Sequence, residues 1–420
     1  MKNLYNFALW LYKIAISFAA LFHSKAKSMS NGWKEAFDKV APLKNEEVIW
    51  VHAASLGEFE QGRPLIERIR KNHPEYKILL TFFSPSGYEV RKNYEVADII
   101  TYLPIDTPLN ARRFVKLARP EMAIFIKYEF WRNYIDRLAY HEIPLYSVSS
   151  IFRKGQYFFK WWGRYTAASL RKIRHFFVQN DESIELLATI GIEQATVVGD
   201  TRFDRVIDIK DASKPLPLIE RFAQRAGEGE DQIYAPHFTL VAGSTWGPDE
   251  DIIIPYFNAH PALHLILAPH VVSAEHLDAI QHKIKRPYAR YSQLLSGEIK
   301  PENAECIIID CYGLLSSIYR YASVAYVGGG FGVGIHNVPE AAVYGIPVII
   351  GPNNHRFREA QDLLAAGGCL EIKRAKDFKA LLDDLMAHPD MVEDAGTASR
   401  EYIADHAGAA DQIFNAIFGE

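Results

Sequence analysis

Along most of the chain, short continuous apolar runs alternate with stretches of helical periodicity. In the first half the runs are Val48–His52, Ile78–Phe83, Ile99–Leu103, Met122–Ile126, Leu145–Val148, His175–Val178 and Thr196–Val198. Several are apolar at nearly every position, as strands covered on both faces of a parallel sheet must be. Helical patterns such as Gly62–Asn72 and Leu109–Leu117 fall between them. The series restarts at Thr239–Ala242 and continues through His264–Ala268, Cys306–Ile309, Val324–Val327, Val348–Ile350 and Leu370–Ile372. Lys210–Leu218, with Pro215 and Pro217, reads as the linker between the two series. The pattern predicts an α/β protein of two Rossmann-like, doubly wound domains, 41–209 and 218–395, with a helical tail, 396–420, that packs back across their interface. Ligands bind such folds at the carboxyl ends of strands, so a cleft between the domains is the expected site.

The first 40 residues read differently, as an anchor helix and linker. Leu4 to Phe22 is almost wholly apolar or aromatic, broken by Asn6, Lys13 and Ser17. A transmembrane helix needs about 20 such residues, and Lys13 in mid-stretch costs a few kcal/mol at a bilayer centre. Lys25, Lys27, Lys34 and Lys39 follow as a basic flank. A helix lying in the interface, a true span and an ordinary buried helix are the three readings. Membrane association on the cytoplasmic face is the expectation carried forward.

Composition narrows the class. Of 420 residues, 49% are hydrophobic and 23% charged, which excludes a disordered or collagen-like chain. A net charge of −4 gives no general basis for binding nucleic acid. The three cysteines (Cys306, Cys311, Cys369) form no CxxC pair, so neither a disulfide framework nor a structural zinc site is expected.

Four clusters carry candidate chemistry. His52-Ala-Ala-Ser55-Leu-Gly57-Glu58 follows the first strand; Glu58 either complements the dipole of the next helix or, facing a cleft, acts as a general base. Lys127-Tyr-Glu129-Phe-Trp131 follows another buried run and offers a second carboxylate, with an indole that either stacks on a sugar or covers the core. Gly243-Ser244-Thr245-Trp246-Gly247 is a small-residue loop whose amides and hydroxyls suit a phosphate, although it lacks both GxGxxG and the P-loop lysine. Gly328-Gly329-Gly330-Phe-Gly-Val-Gly-Ile-His336-Asn337-Val-Pro339-Glu340 follows a strand and leads toward a helix that Asn337 is placed to cap. Its glycines let the backbone approach a phosphate, and Glu340 is placed to hold a ribose. The segment Phe152–Tyr165, which includes Arg153, mixes bases with aromatics, as lipid-headgroup surfaces do. No GxGxxG with a following acidic residue marks the first strand, which disfavours an oxidoreductase.

These clusters, with Ala268-Pro269-His270 and Val198-Gly-Asp-Thr-Arg-Phe-Asp204, resemble in order and spacing the 3-deoxy-D-manno-octulosonic acid (Kdo) transferases of lipopolysaccharide assembly. The resemblance runs over nearly the whole chain. It implies the two-domain GT-B architecture of an inverting glycosyltransferase, with CMP-Kdo as donor, lipid IVA as acceptor, no cofactor and no metal. It implies the cytoplasmic face of the inner membrane as location. By its motifs Glu58 matches the general base and Glu129 an acceptor-side carboxylate. Ser244, Thr245, Pro269, His270, Tyr312, Gly313, Gly329, Gly330, Asn337 and Glu340 fall on the CMP pocket. Ser55, Gly57, Lys127, Trp131 and Arg153 are the acceptor-side candidates. The chain departs from the family at Lys127, commonly glutamate; at His270, usually arginine; and at Tyr312-Gly313-Leu314, usually Met-Gly-Glu. A related UDP-sugar transferase or epimerase, or an inactive lipid- or nucleotide-binding scaffold, are the alternatives.

Overall fold

The structure, a computed structural model, describes residues 2–225 and 235–419. It divides into two compact units, Met1–Arg205 with His406–Glu420, and Val206–Asp405. Each is built on a seven-stranded parallel sheet.

In the first unit the strands are β1 Val48–Ala53, β2 Lys77–Phe82, β3 Ile99–Tyr102, β4 Met122–Ile126, β5 Leu145–Ser150, β6 His175–Val178 and β7 Ala195–Val197. Their order is β3-β2-β1-β4-β5-β6-β7. β1 is buried at every residue and pairs with β2 on one side and β4 on the other. The winding reverses there, so the carboxyl end of β1 is the switch point at which such sheets bind ligands. Trp50, at the centre of β1, packs against Phe114, Phe125 and Tyr134.

After a short antiparallel pair, β8 Gln224–Arg225 and β9 Ala235–Pro236, the second unit repeats the plan. Its strands are β10 Phe238–Thr245, β11 Leu263–Pro269, β12 Tyr288–Arg290, β13 Cys306–Ile308, β14 Val324–Val327, β15 Val348–Ile350 and β16 Cys369–Glu371. The order β12-β13-β11-β10-β14-β15-β16 puts β10 at the switch point.

Residues 2–40 form two helices, α1 Lys2–Ala19 and α2 Ser24–Val40. α2 buries Ala26, Met29, Trp33, Ala36, Phe37 and Val40 in the first unit. α1 turns Leu9 and Ile16 toward Met29, Trp33, Tyr102 and Ile105, and leaves Leu4, Phe7, Trp10, Leu11, Ile14 and Phe18 exposed. Among the described residues no helix is long and apolar enough to cross a membrane. The final helix, Ala409–Phe418, buries Ile413 and Phe414 beside Phe59, Ile66 and Ile69 of the first unit.

Two local expectations are corrected. Most of Lys210–Leu218 is not a linker, because the helices Arg202–Ala212 and Pro217–Ala223 leave only residues 213–216 between them. Pro217 opens the second helix, where its missing N–H costs nothing. The helix after Asn337 is only Pro339–Ala342, with Val338 at its N-cap; Asn337 spends its side-chain amide on Glu340 Oε1 at 2.7 Å instead of capping.

Candidate functional site

The chain leaves β1 through Ala54 and Ser55 into the helix Leu56–Asn72, here α3. Ser55 is the N-cap and Glu58 the third helical residue, so the carboxylate reaches back to the cap. Glu58 Oε2 accepts from the Ser55 N–H at 2.9 Å and from its hydroxyl at 3.2 Å. The dipole reading of Glu58 is therefore correct as far as it goes, but the environment adds to it. Burial pushes its proton affinity above the ordinary carboxylate range and the charge of Glu129 pushes it further, while His52 and the Ser55 hydrogen bonds pull it partly back. A carboxylate with raised proton affinity is a better base than a solvated one.

His52 sits at the end of β1 with its side chain wholly buried. Its Nδ1 lies 3.0 Å from the Thr81 carbonyl and 2.9 Å from the Thr81 hydroxyl. Because a carbonyl only accepts, a proton on Nδ1 satisfies that contact. Nε2 then points at Glu129 Oε2, 3.3 Å away. The Trp131 indole N–H lies 2.6 Å from the same Oε2 and 3.1 Å from His52 Nε2. Trp131 thus neither floats free nor simply covers the core: its ring packs on Phe83 at 4.7 Å while its N–H holds Glu129. Ser55, Glu58, His52, Glu129 and Trp131 form one cluster at the switch point.

The other acceptor-side candidates lie around it. Lys127 has a left-handed backbone, φ 62°, with its N–H on the Val148 carbonyl and its own carbonyl on the Ser150 hydroxyl. Gly57 is exposed, with open space where a Cβ would stand. Arg153, also exposed, donates to the Tyr128 hydroxyl at 3.3 Å.

In the second unit Ser244 takes φ 54° at an irregularity in the β10–β11 pairing. Gly328 is required beside it: a Cβ there would stand 2.4 Å from the Ser244 carbonyl oxygen. Gly330 is packed so tightly on Gly351 that its Cβ would meet backbone at 2.6 Å. The helix Gly247–Ala259 follows, and Asp249, its third residue, accepts from the Trp246 N–H at 2.9 Å, the Gly329 N–H at 2.9 Å and the Tyr326 hydroxyl at 2.7 Å. Thr245 donates to Glu250 at 3.1 Å, and Glu250 also bonds His276 at 2.9 Å. His270 is stacked between Trp246, at 4.7 Å, and His336, at 4.4 Å, and the Trp246 N–H lies 3.1 Å from His336 Nε2. Burial, then His270, lowers the proton affinity of His336.

Ser244, Thr245, Pro269, His270, Gly329 and Gly330 therefore converge at the ends of β10, β11 and β14. Tyr312 is largely exposed, and its hydroxyl accepts the Val272 N–H at 3.1 Å; Gly313 turns with φ 92°. Asn337 and Glu340 form their own pair. The sequence reading passed over Thr81, Phe83, Asp249, Glu250 and Tyr326. Asp249 had a signal, since an acid three residues after Trp246 at a strand-to-helix turn repeats the Ser55–Glu58 spacing. Thr81 had another, as a polar residue inside a buried apolar run.

Residues 31–205 match the family model described as 3-deoxy-D-manno-octulosonic-acid transferase (kdotransferase). The chain is 27% identical over 362 residues to the 3-deoxy-D-manno-octulosonic acid transferase of Aquifex aeolicus, covering 84% of this chain and 90% of that one. It is 28% identical over 403 residues to the Bordetella pertussis transferase of that name, covering 90% and 88%. Among solved structures, the UDP-GlcNAc 2-epimerase of Neisseria meningitidis superposes with TM-score 0.59 at 14% identity, over 89% of this chain and 100% of that one. Acinetobacter baumannii MurG gives TM-score 0.54 at 11% identity, over 89% and 100%. These two share the fold of two parallel-sheet α/β domains.

Proposed function

We propose that this chain, whose residues 31–205 match the Kdo-transferase family model and which is similar along most of its length to Kdo transferases, is a glycosyltransferase that moves Kdo from CMP-Kdo to the lipid A precursor lipid IVA, releasing CMP. The observation that carries this reading is Glu58. It stands at the switch point of the first sheet, half-buried, with its proton affinity raised by burial and by Glu129.

In the proposed step Glu58 takes the proton of an acceptor hydroxyl as that oxygen attacks the anomeric carbon of Kdo. The new oxygen–carbon bond forms on the face opposite the bond to the CMP phosphate, which breaks with its electron pair going to CMP; configuration inverts and the proton stays on Glu58. Glu129 is an acceptor-side carboxylate, and Trp131, Ser55, Gly57, Lys127 and Arg153 surround the acceptor. On the donor side Ser244, Thr245, Pro269, His270, Tyr312, Gly313, Gly329, Gly330, Asn337 and Glu340 hold CMP, with loop amides meeting the developing phosphate charge. The reading assigns no cofactor and no metal.

The exposed apolar side of α1, with Tyr157 and Trp161 also exposed, supports a helix that lies on the cytoplasmic face of the inner membrane instead of crossing it. Lipid IVA would reach the first domain from that surface.

The test is transfer from freshly generated CMP-Kdo to a tetra-acylated, bis-phosphorylated lipid A precursor, read by mass spectrometry with EDTA present. A product one Kdo heavier is expected, and later increments count successive additions. Binding of UDP in place of CMP, with no product, would move the chain to the UDP-sugar enzymes whose fold it shares.

A further inference from the structure

The first helix does more than offer an apolar face. The helix Arg132–Tyr140 starts immediately after Glu129-Phe-Trp131, with Trp131 as its N-cap. Trp131 supplies no capping side chain, yet the first amides of a helix need acceptors. Those acceptors come from elsewhere. Asp106 takes the Asn133 N–H at 2.9 Å and the Tyr134 N–H at 3.0 Å. Tyr5 of α1 donates its hydroxyl to the same Asp106 carboxylate at 2.7 Å. Asn6, also on α1, accepts from the Asn133 side chain at 3.0 Å. The carboxylate that caps this helix, and the side chain of its second residue, are thus braced by a segment more than a hundred residues away in sequence.

A second route runs through rings. Tyr12 of α1 stacks toward Phe83 at 6.2 Å, Trp33 of α2 meets Phe83 from another side at 6.2 Å, and Phe83 packs on Trp131 at 4.7 Å. These separations fall in the range where aromatic pairs attract. The ring route ends on Trp131, whose indole N–H holds Glu129, and the polar route ends on the first amides of the helix that Trp131 opens.

We infer that α1 is a positioning element of the acceptor site: Tyr5 and Tyr12 fix Trp131, and through it Glu129 and His52, beside Glu58. The inference rests on the transferase reading for its consequence in turnover, though not for its geometry. An anchor that only bound lipid could be exchanged for any helix with the same apolar face. Here Tyr5 and Asn6, bonded inward, and Tyr12, exposed but stacked on Phe83, make the exchange costly.

The experiment uses the full chain in three forms: wild type, Tyr5→Phe, and a chimera in which residues 2–19 are replaced by an unrelated amphipathic helix with a matched apolar face. Binding to phosphatidylethanolamine–phosphatidylglycerol vesicles, CMP binding, transfer kinetics and amide exchange over residues 129–136 are measured on each. The chimera should bind vesicles and CMP as wild type does, while exchange at 129–136 rises and kcat falls by roughly tenfold or more, the scale of several lost hydrogen bonds. Tyr5→Phe, which removes one hydroxyl, should shift both roughly threefold to tenfold, with the donor KM unchanged. A purely structural role for α1 would instead lower CMP binding and kcat together, and that outcome overturns the inference. So does wild-type exchange at 129–136 in both variants, whatever the activity. If wild type transfers no Kdo, the functional reading falls alone, and the exchange measurement still decides the role of α1.

Discussion

The two domains use the same turn for different ends. In each, the strand at the switch point runs into a helix whose third residue is acidic and reaches back to the cap N–H: Glu58 to Ser55 at 2.9 Å, Asp249 to Trp246 at 2.9 Å. The difference lies in what else the acid touches. Asp249, buried, also binds Gly329 and Tyr326, so its oxygens are taken up in tying the glycine-rich loop to the strand ends. Among the described residues Glu58 has only Ser55 as a hydrogen-bond partner, and it lies close enough to Glu129 to feel its charge. One carboxylate is spent on holding a loop, and the other keeps capacity for a proton. A capping motif in a sequence therefore does not decide between structure and chemistry; the neighbours brought in by the fold do.

The largest effect should come from Glu58→Gln. Glutamine keeps the reach-back to Ser55 but takes no proton, so kcat should fall by roughly 10²–10⁴, the span of general-base catalysis. Thermal stability and CMP affinity should stay near wild type. Transfer kinetics beside a melting curve check this, and a kcat loss below about tenfold would remove the base assignment. Asp249→Ala should do the reverse. It strips the acceptor from three donors in a buried setting, so unfolding free energy should drop by roughly 3 kcal/mol. CMP affinity should fall with it, as the Gly329 loop comes loose. Denaturant unfolding and calorimetric CMP titration read both, and an unchanged CMP affinity would make the two turns equivalent after all.

Much of this arrangement was legible in the sequence because parallel strands buried on both faces are apolar throughout. The expected run Ile78–Phe83 differs from β2, Lys77–Phe82, by a residue at each end. What escaped was polar and non-local. The apolar period of α3 shows only from Gly62, although Glu58 was expected to open that helix, because Gly57, Glu58, Glu60 and Gln61 interrupt the period; Gln61 is nonetheless buried, its amide on Asp200 from 139 residues away. β12, Tyr288–Arg290, is a three-residue edge strand with too little apolar pattern to announce itself. At the site, Glu58 and Glu129 stood out as acids after strands. That one alters the proton affinity of the other, and that Phe83 and Tyr12 stand behind Trp131, depends on contacts no local spacing encodes.

The finest test of the contrast between the turns is the acid limb of turnover. A general base works ionised, so kcat/KM falls as pH drops through the Glu58 titration. Burial and the Glu129 charge raise that titration above the ordinary carboxylate range, which puts the limb higher than a solvated glutamate would. Glu129→Gln removes one of the two raising causes and leaves burial in place. The limb should therefore move to lower pH without reaching the position of a free carboxylate. Glutamine can still accept from the Trp131 indole, so the turn itself should hold, and any loss of kcat at the optimum reports the separate acceptor-side role of Glu129. A kcat/KM profile from about pH 4 to 8, the range that brackets ordinary and raised carboxylates, measures the shift. An acid limb that moves upward, or stays where it is, would mean that Glu58 does not sense Glu129 and that the first turn, like the second, is only a cap.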